Sequence, residues 1–560
     1  MRMTVRIALL TVLTTALYAA PAKFQPYEFK AQDGTVVQAE LGEFEVPENR
    51  TKSASRKIAI RFVRFKSTSA KPGSPIVYLA GGPGGSGIGA AMSTRFPLFM
   101  ALREFGDVIA YDQRGINLSG PKMLCTEEYL VDPAVPLERA SYGAALAEAM
   151  RRCGERLTSE GVDLTGYNTV ESAADLNDLR LALGAKKLTL WGISYGTHLS
   201  IAALRYHPDA IDRVILAGIE GPDDTYKLPG DQQSLMEEIA RLAARDGKSP
   251  DLLGSLNKIM RELEERPKSV TLTHPVNGQS ATFVFGKLDL QAAIADSLFA
   301  PDTFSGLPDL VHRLERGDWL ALALRIGSER FGSAPSAMSV AMDCASGISA
   351  GRHQRIAAEA AHTILGDAIS MPFPEVCSAF AMPDAGEEFR SPLRSNVPAL
   401  LISGTLDGRT RPRQAEELRR TMPNATTLII EGAGHSDPLF LSSPKIFEAM
   451  KAFLRNEPVR ERYISLPPIT FLPLRTVANV SDDVLARHVG TYRIDEKSTR
   501  RIVKAGSVLY ATRDGGAPAA LRPMSDTEFF YEGRSETVRF EKDAMTLTTA
   551  DGQAYRAKRE

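Results

Sequence analysis

Charge of one sign is what this chain has least of: 67 Lys and Arg offset 68 Asp and Glu, leaving a formal charge of −1 over 560 residues. That balance removes the basic footprint on which backbone binding to nucleic acid depends, so no nucleic-acid partner is expected. Long apolar runs are scarce too. The one from Ile7 to Ala20 is broken by Thr11, Thr14 and Thr15, and it falls short of the ~20 residues a spanning helix needs. Cysteine is limited to four residues with no CxxC pair, which speaks against a zinc centre, and no other metal is expected. No internal repeat or low-complexity tract stands out, and the glycine-rich loop at 81–87 lacks the Gly-Lys-Ser/Thr ending of a phosphate-cradling loop. What remains is ordinary globular composition, 43% hydrophobic and 24% charged, which argues against a disordered, collagen-like or polytopic membrane chain. The length predicts about three to five domain-sized units.

The N-terminal run reads as an address. Arg2 and Arg6 precede it and Ala20-Pro21-Ala22 follows with small residues at alternate positions, so residues 1–22 are expected to be a cleaved secretory signal. The protein is then exported, periplasmic or extracellular, with no stable membrane insertion after the signal is removed. In an oxidising compartment Cys125, Cys153, Cys344 and Cys377 are expected to pair rather than stay free. Three connectivities are open. Pairing sequence neighbours closes loops of about thirty residues, worth ~3 kcal/mol each, and favours Cys125 with Cys153 and Cys344 with Cys377; four buried thiols are the alternative.

The chain changes texture along its length. Alternating positions in 34–46 and 57–66 (Val36, Ala39, Leu41; Ile58, Ile60, Phe62) predict antiparallel strands with one wet face. From Pro75, short continuous apolar runs (76–80, 108–111, 188–191, 214–217) predict parallel strands covered on both faces. Helical patterns replace them between 225 and 393, and strands resume at 399–402 and 427–430. The expected fold is therefore α/β: a mostly parallel sheet in 23–224 and 394–456, with a helical lid inserted at 225–393. A proline-bearing linker over 457–483 would lead to a small antiparallel β domain at 484–560, partly closed or lipocalin-like.

One constellation carries chemistry. Gly192-Ile193-Ser194-Tyr195-Gly196 sits between an apolar strand and a helical run, and small residues two positions either side allow the sharp turn that presents a serine hydroxyl at a sheet edge. A serine alcohol needs a base and the base needs an orienting acid. Chain order and strand ends pick His435, which follows the last parallel strand in Gly432-Ala433-Gly434-His435, and Asp407, which leaves the strand before it. Glu220, Asp223 and Asp224 compete for the acid role, and Asp437 reads as a turn or cap residue. Two donors must face the oxyanion: the Tyr195 N–H and a backbone N–H of Gly81-Gly82-Pro83-Gly84-Gly85-Ser86-Gly87, with Gly82 the choice and Gly81 or Gly84 the fallbacks.

The same loop supports a rival. Gly82, Gly84 and Gly87 spell G-x-G-x-x-G, with Asp112 some 25 residues on, a dinucleotide fingerprint. It leaves Ser194, Asp407 and His435 unexplained, and no cofactor is expected.

Taken together, GGPGGSG at 81, DQRGINLSGP at 112, GISYGTHLS at 192, the loop ending in Asp407 and GAGH ending at His435 resemble the prolyl and tripeptidyl aminopeptidases, secreted α/β-hydrolases, over residues 55–455. The resemblance implies an α/β-hydrolase fold, a Ser194-Asp407-His435 triad, an oxyanion hole at Gly82 and Tyr195, and the two sequential disulfides. It gives Asp112 and Arg114 a structural role near the site, and Glu220 is a candidate for binding a substrate amino group. The chain has Ala80 where many prolyl aminopeptidases carry a histidine. The implied activity is release of N-terminal proline, single residues or short peptides through an acyl-enzyme. An esterase or lactonase with the same triad is the alternative, acting on a small ester, and a non-catalytic exported binding protein is the weaker one.

Overall fold

The computed structural model describes residues 20–326, 330–496 and 498–560; all but the last three residues of the expected signal segment lie outside the described residues. Ten strands form one sheet: β1 (Lys23–Lys30), β2 (Val36–Pro47), β3 (Lys57–Phe65), β4 (Ile76–Leu79), β5 (Val108–Tyr111), β6 (Leu188–Ser194), β7 (Ile211–Ile219), β8 (Ala399–Gly404), β9 (Ala425–Glu431) and β10 (Tyr463–Ser465). Their spatial order is β1-β2-β3-β5-β4-β6-β7-β8-β9-β10. The first three strands and the β3–β5 contact are antiparallel, and every pairing from β5 onward is parallel.

Alternate residues of the central strands serve two cores. Val77, Leu79, Ile109, Leu190 and Leu216 pack on one face, and Ile76, Tyr78, Val108, Trp191 and Ile215 on the other. This is why the central stretches of these strands are almost continuously apolar: successive side chains point to opposite faces and both are covered. By contrast β3 buries Ile58, Ile60 and Phe62 while Ile58's neighbour Lys57 is exposed and Arg61 is half-buried.

The inserted segment is mainly helical, with its own core built on residues such as Leu235, Ile239, Leu256, Leu290 and Leu310. It also contains a hairpin, Lys268–Thr273 with Ser280–Phe285, which the helical reading does not include. The 457–483 stretch, expected as linker, supplies β10 to the sheet edge. Among the described residues no helix is long and apolar enough to cross a membrane.

The C-terminal unit is a closed antiparallel barrel of eight strands, running from Gly490–Arg493 to Ala554–Arg559. Closure comes from pairing of its first and last strands, Tyr492 opposite Arg559 and Arg493 opposite Lys558. Its interior is filled by Leu509, Leu521, Phe529, Phe540, Met545 and neighbours. The barrel docks on the inserted segment through an apolar patch, Val508 and Tyr510 against Leu320 and Leu324, and through charge. Arg313, 2% exposed, pairs with Asp309, Asp318 and the barrel's Glu532, while the barrel's Arg522 returns to Asp318.

Candidate active site

The elbow follows from sterics. A Cβ on Gly192 would lie 2.6 Å from the Gly196 carbonyl oxygen, and one on Gly196 would lie 2.1 Å from that of Leu79. Only glycine lets strand β6, helix Tyr195–Tyr206 and strand β4 meet so closely. Between them Ser194 adopts φ 54° and ψ −126°, a conformation that costs a non-glycine residue about 1–3 kcal/mol. Gly81 packs directly on this serine, its notional Cβ 2.9 Å from Ser194 Cβ.

Asp407 and His435 come from the loops after β8 and β9, two adjacent strands of the parallel sheet. His435 Nδ1 donates to Asp407 Oδ2 at 2.8 Å. Asp407 is fully buried and accepts three more hydrogen bonds, from the Arg409 and Thr410 backbone N–H groups and the Thr410 hydroxyl, each at 2.8 Å. Burial alone would raise its pKa; the His435 partner and the Thr410 donors reverse that and hold the carboxyl below its ordinary value. The pair is thus an ionised carboxylate fixing one imidazole tautomer, with Nε2 left to act. Among the described residues no hydrogen bond joins Ser194 Oγ to His435, a contact that often tightens only when substrate binds.

Ser194 and His435 line one cavity of about 580 Å³, together with Gly81 and Gly82. Gly82 takes φ 119°, and among the described residues its N–H has no acceptor. The Tyr195 N–H opens the helix after the elbow, where backbone donors and the helix dipole favour negative charge. Asp112 steadies the glycine loop from behind, accepting from Ser86 Oγ at 2.6 Å, Asn117 Nδ2 at 2.8 Å and the Ile88 N–H at 3.2 Å. With its carboxylate committed to the loop itself, Asp112 is not a free ribose acceptor for a dinucleotide. Arg114 is buried and grips Asp175 through two nitrogens while also donating to the Glu48 and Gly166 carbonyls.

The inserted segment roofs the cavity. The His435 N–H donates to the Phe299 carbonyl at 2.9 Å and the two rings meet edge to face. Gly408 and Gly434 admit this approach, since a Cβ on either would strike Leu298 O at 1.9 Å or Ala300 Cα at 2.5 Å. On the helix Ala337–Ser346, Ser339 Oγ donates to the Pro83 carbonyl at 2.7 Å. One turn later on the same face, Asp343 lines the cavity.

Of the competing carboxylates, Asp223 caps Ser349 and Asp224 pairs with Arg352 at 2.5 Å, so both serve the roof. Glu220 does line the cavity, already paired with Lys227 Nζ at 2.6 Å. Asp437 precedes the short helix Pro438–Leu441 and pairs with Arg95 at 2.7 Å. Sequence reasoning missed Asp343. Its carboxyl has no hydrogen-bond or ion partner among the described residues, and burial, reinforced by the Glu220 charge, pushes its pKa well above the usual carboxylate range. Lys227 pulls the other way without winning. The only local signal was an acid one residue before Cys344 in a helix. Cys344 is bonded to Cys377 and Cys125 to Cys153, and the former bridge ties this helix to the Ser370–Phe373 wall of the same cavity.

Residues 74–297 match the family described as alpha/beta hydrolase fold, and residues 365–462 the one described as TAP-like protein. The chain is 30% identical over 220 residues to serine protease Hip1 of Mycobacterium tuberculosis, covering 37% of this chain and 42% of that one. Tripeptidyl aminopeptidase of Streptomyces coelicolor is 29% identical over 195 residues, 33% of this chain and 35% of its own. The putative hydrolase YuaR of Escherichia coli is 28% identical over 170 residues, 30% of this chain and 32% of its own. The matches thus span roughly two fifths or less of these curated relatives. With a parallel sheet, an elbow serine at its edge and a histidine and carboxylate on the next loops, this chain has the α/β-hydrolase fold and is similar over part of its length to proteins named serine protease and tripeptidyl aminopeptidase.

Proposed function

We propose that this protein is an exported serine hydrolase that releases N-terminal proline, single residues or short peptides from peptide substrates through an acyl-enzyme. The observation that carries the reading is one cavity lined by the elbow serine, by His435 with Asp407 behind it and, on the roof, by a carboxyl at Asp343 that has no partner among the described residues. In this reading His435 Nε2 takes the Ser194 proton as Oγ attacks the scissile carbonyl, and later returns a proton to the leaving amine. Asp407 fixes the Nδ1–H tautomer and stabilises the imidazolium. The Gly82 and Tyr195 N–H groups receive the oxyanion.

The acidic wall supports specificity for a free amino terminus. Glu220 is balanced by Lys227, so an ammonium arriving at Asp343 supplies the one missing counter-charge and lets that carboxyl ionise. A simple ester gains nothing from such a wall. The two disulfides are compatible with export. Similarity to a serine protease and a tripeptidyl aminopeptidase favours peptide substrates.

A panel of chromogenic amides with free and blocked N-termini, run beside simple esters, tests the reading. Free-amine amides are expected to be cleaved, and Ser194→Ala is expected to fold and lose at least ~10³-fold in turnover. Hydrolysis confined to esters or to blocked amides overturns the aminopeptidase assignment, and undiminished activity in the alanine variant removes Ser194 from the mechanism.

A further inference from the structure

A second cavity of about 670 Å³ opens between the inserted segment and the barrel, and Ile369, Met371 and Arg409 line both it and the cavity of Ser194. The two chambers thus adjoin along these three side chains.

Most charges of the second chamber are paired. Glu532 is held by Arg313 and Arg522, Asp289 by Arg330 and two backbone N–H groups, and Asp296 by Arg409. Asp302, Arg325 and Arg534 have no ion pair among the described residues; Asp302 and Arg534 are exposed, and Arg325 is the half-buried one. Its Nη2 lies within 3.2 Å of a notional Cβ on Gly306 of the inserted segment and 3.6 Å of one on Gly533 of the barrel, so the guanidinium sits at the joint. Its Nε is closed off from solvent with no hydrogen-bond partner, and among the described residues no ion pair reaches it. Burial pulls its pKa down, only partly offset by the Glu532 charge. A half-buried guanidinium whose closed-off Nε has no acceptor is costly to keep and matches a planar carboxylate well.

The geometry points to this chamber as a binding site for the free C-terminal carboxylate of a short peptide whose scissile bond lies at Ser194, with Arg325 as the receiving cation. The inference rests on the aminopeptidase reading. It assigns the barrel a role: by closing the far side of the chamber it sets the length of chain that can lie between nucleophile and arginine.

Calorimetric binding to the Ser194→Ala variant tests it, using alanine peptides of two to eight residues, each as free acid and as C-terminal amide. The acid is expected to bind about tenfold or more tightly than its amide, and only over a narrow window of lengths, because the span to cover is fixed. Adding Arg325→Gln should bring the acid-to-amide ratio to about one, and Arg325→Lys should restore part of it. The Gln variant should melt no lower than its parent, since it removes an unpaired buried charge. Equal affinities at every length, binding of neither form, or a ratio that survives Arg325→Gln would overturn the proposal. Failure of the parent reading is seen separately, as wild-type protein that cleaves no free-amine amide while these binding ratios still stand.

Discussion

Replacing Asp343 by Asn removes one charge from the cavity while keeping the side chain's shape. The carboxyl has no partner among the described residues, and burial, reinforced by the like charge at Glu220, raises its pKa well above the ordinary range. A substrate ammonium would convert it to the acceptor of a charge-assisted hydrogen bond, worth about 1.5–3 kcal/mol, or roughly 10- to 100-fold in kcat/KM. The loss should fall on KM, because the amino group is bound alike in ground and transition states. The pH dependence has a definite sign. A carboxyl whose pKa is raised on folding destabilises the fold as pH climbs from the usual carboxylate value toward the raised one. Asp343→Asn should therefore melt higher than wild type at neutral pH and equal it in acid. In wild type, KM for a free-amine substrate should fall as pH rises through the same window, since only the carboxylate pairs with ammonium. The assay is steady-state kinetics on a chromogenic free-amine amide and its N-acetylated counterpart across that pH range. Equal losses on both substrates, or a KM profile that Asp343→Asn leaves in place, would refute the reasoning.

Two further outcomes follow from the geometry. Ser194→Gly should abolish turnover yet raise stability by about 1 kcal/mol, the balance of ~1–3 kcal/mol of relieved strain at φ 54° against the entropic cost of glycine; a lower melting midpoint than wild type would count against strain at the elbow. Glu532→Ala strips the barrel's partner from the buried Arg313, which keeps Asp309 and Asp318, and should cost about 1.5–3 kcal/mol at the joint, read as faster proteolytic nicking within 466–483; an unchanged nicking rate would mean the barrel does not dock through this pair.

How far the fold was legible in the sequence depends on the range of the force that decides each part. The doubled burial of β4, β5 and β6 forces an unbroken apolar run, and such runs are visible without coordinates. The one-sided burial of β3 from Lys57 to Arg61 forces an alternation that is equally visible, whereas Val63 and Phe65 further along are buried on the other face. The elbow was legible for a steric reason, because the close approaches at Gly192 and Gly196 leave no room for a side chain. By contrast β10 is three residues pairing at a sheet edge, too short to leave a period of its own. Barrel closure rests on a few residue pairs between strands more than sixty positions apart, which five recognisable strands could only suggest.

The sequence by itself determined the order of serine, carboxylate and histidine along the chain, the kind of backbone that carries each, and the α/β layering, because those are choices made by neighbouring residues. The tertiary structure alone decided that, among the described residues, Asp343 stands unpaired in the roof of the serine's cavity, Glu220 is already paired with Lys227, and the Arg325 Nε has no partner at the barrel joint. Whether a charge is satisfied depends on what folding brings within a few ångströms of it, and that partner can come from anywhere in the chain.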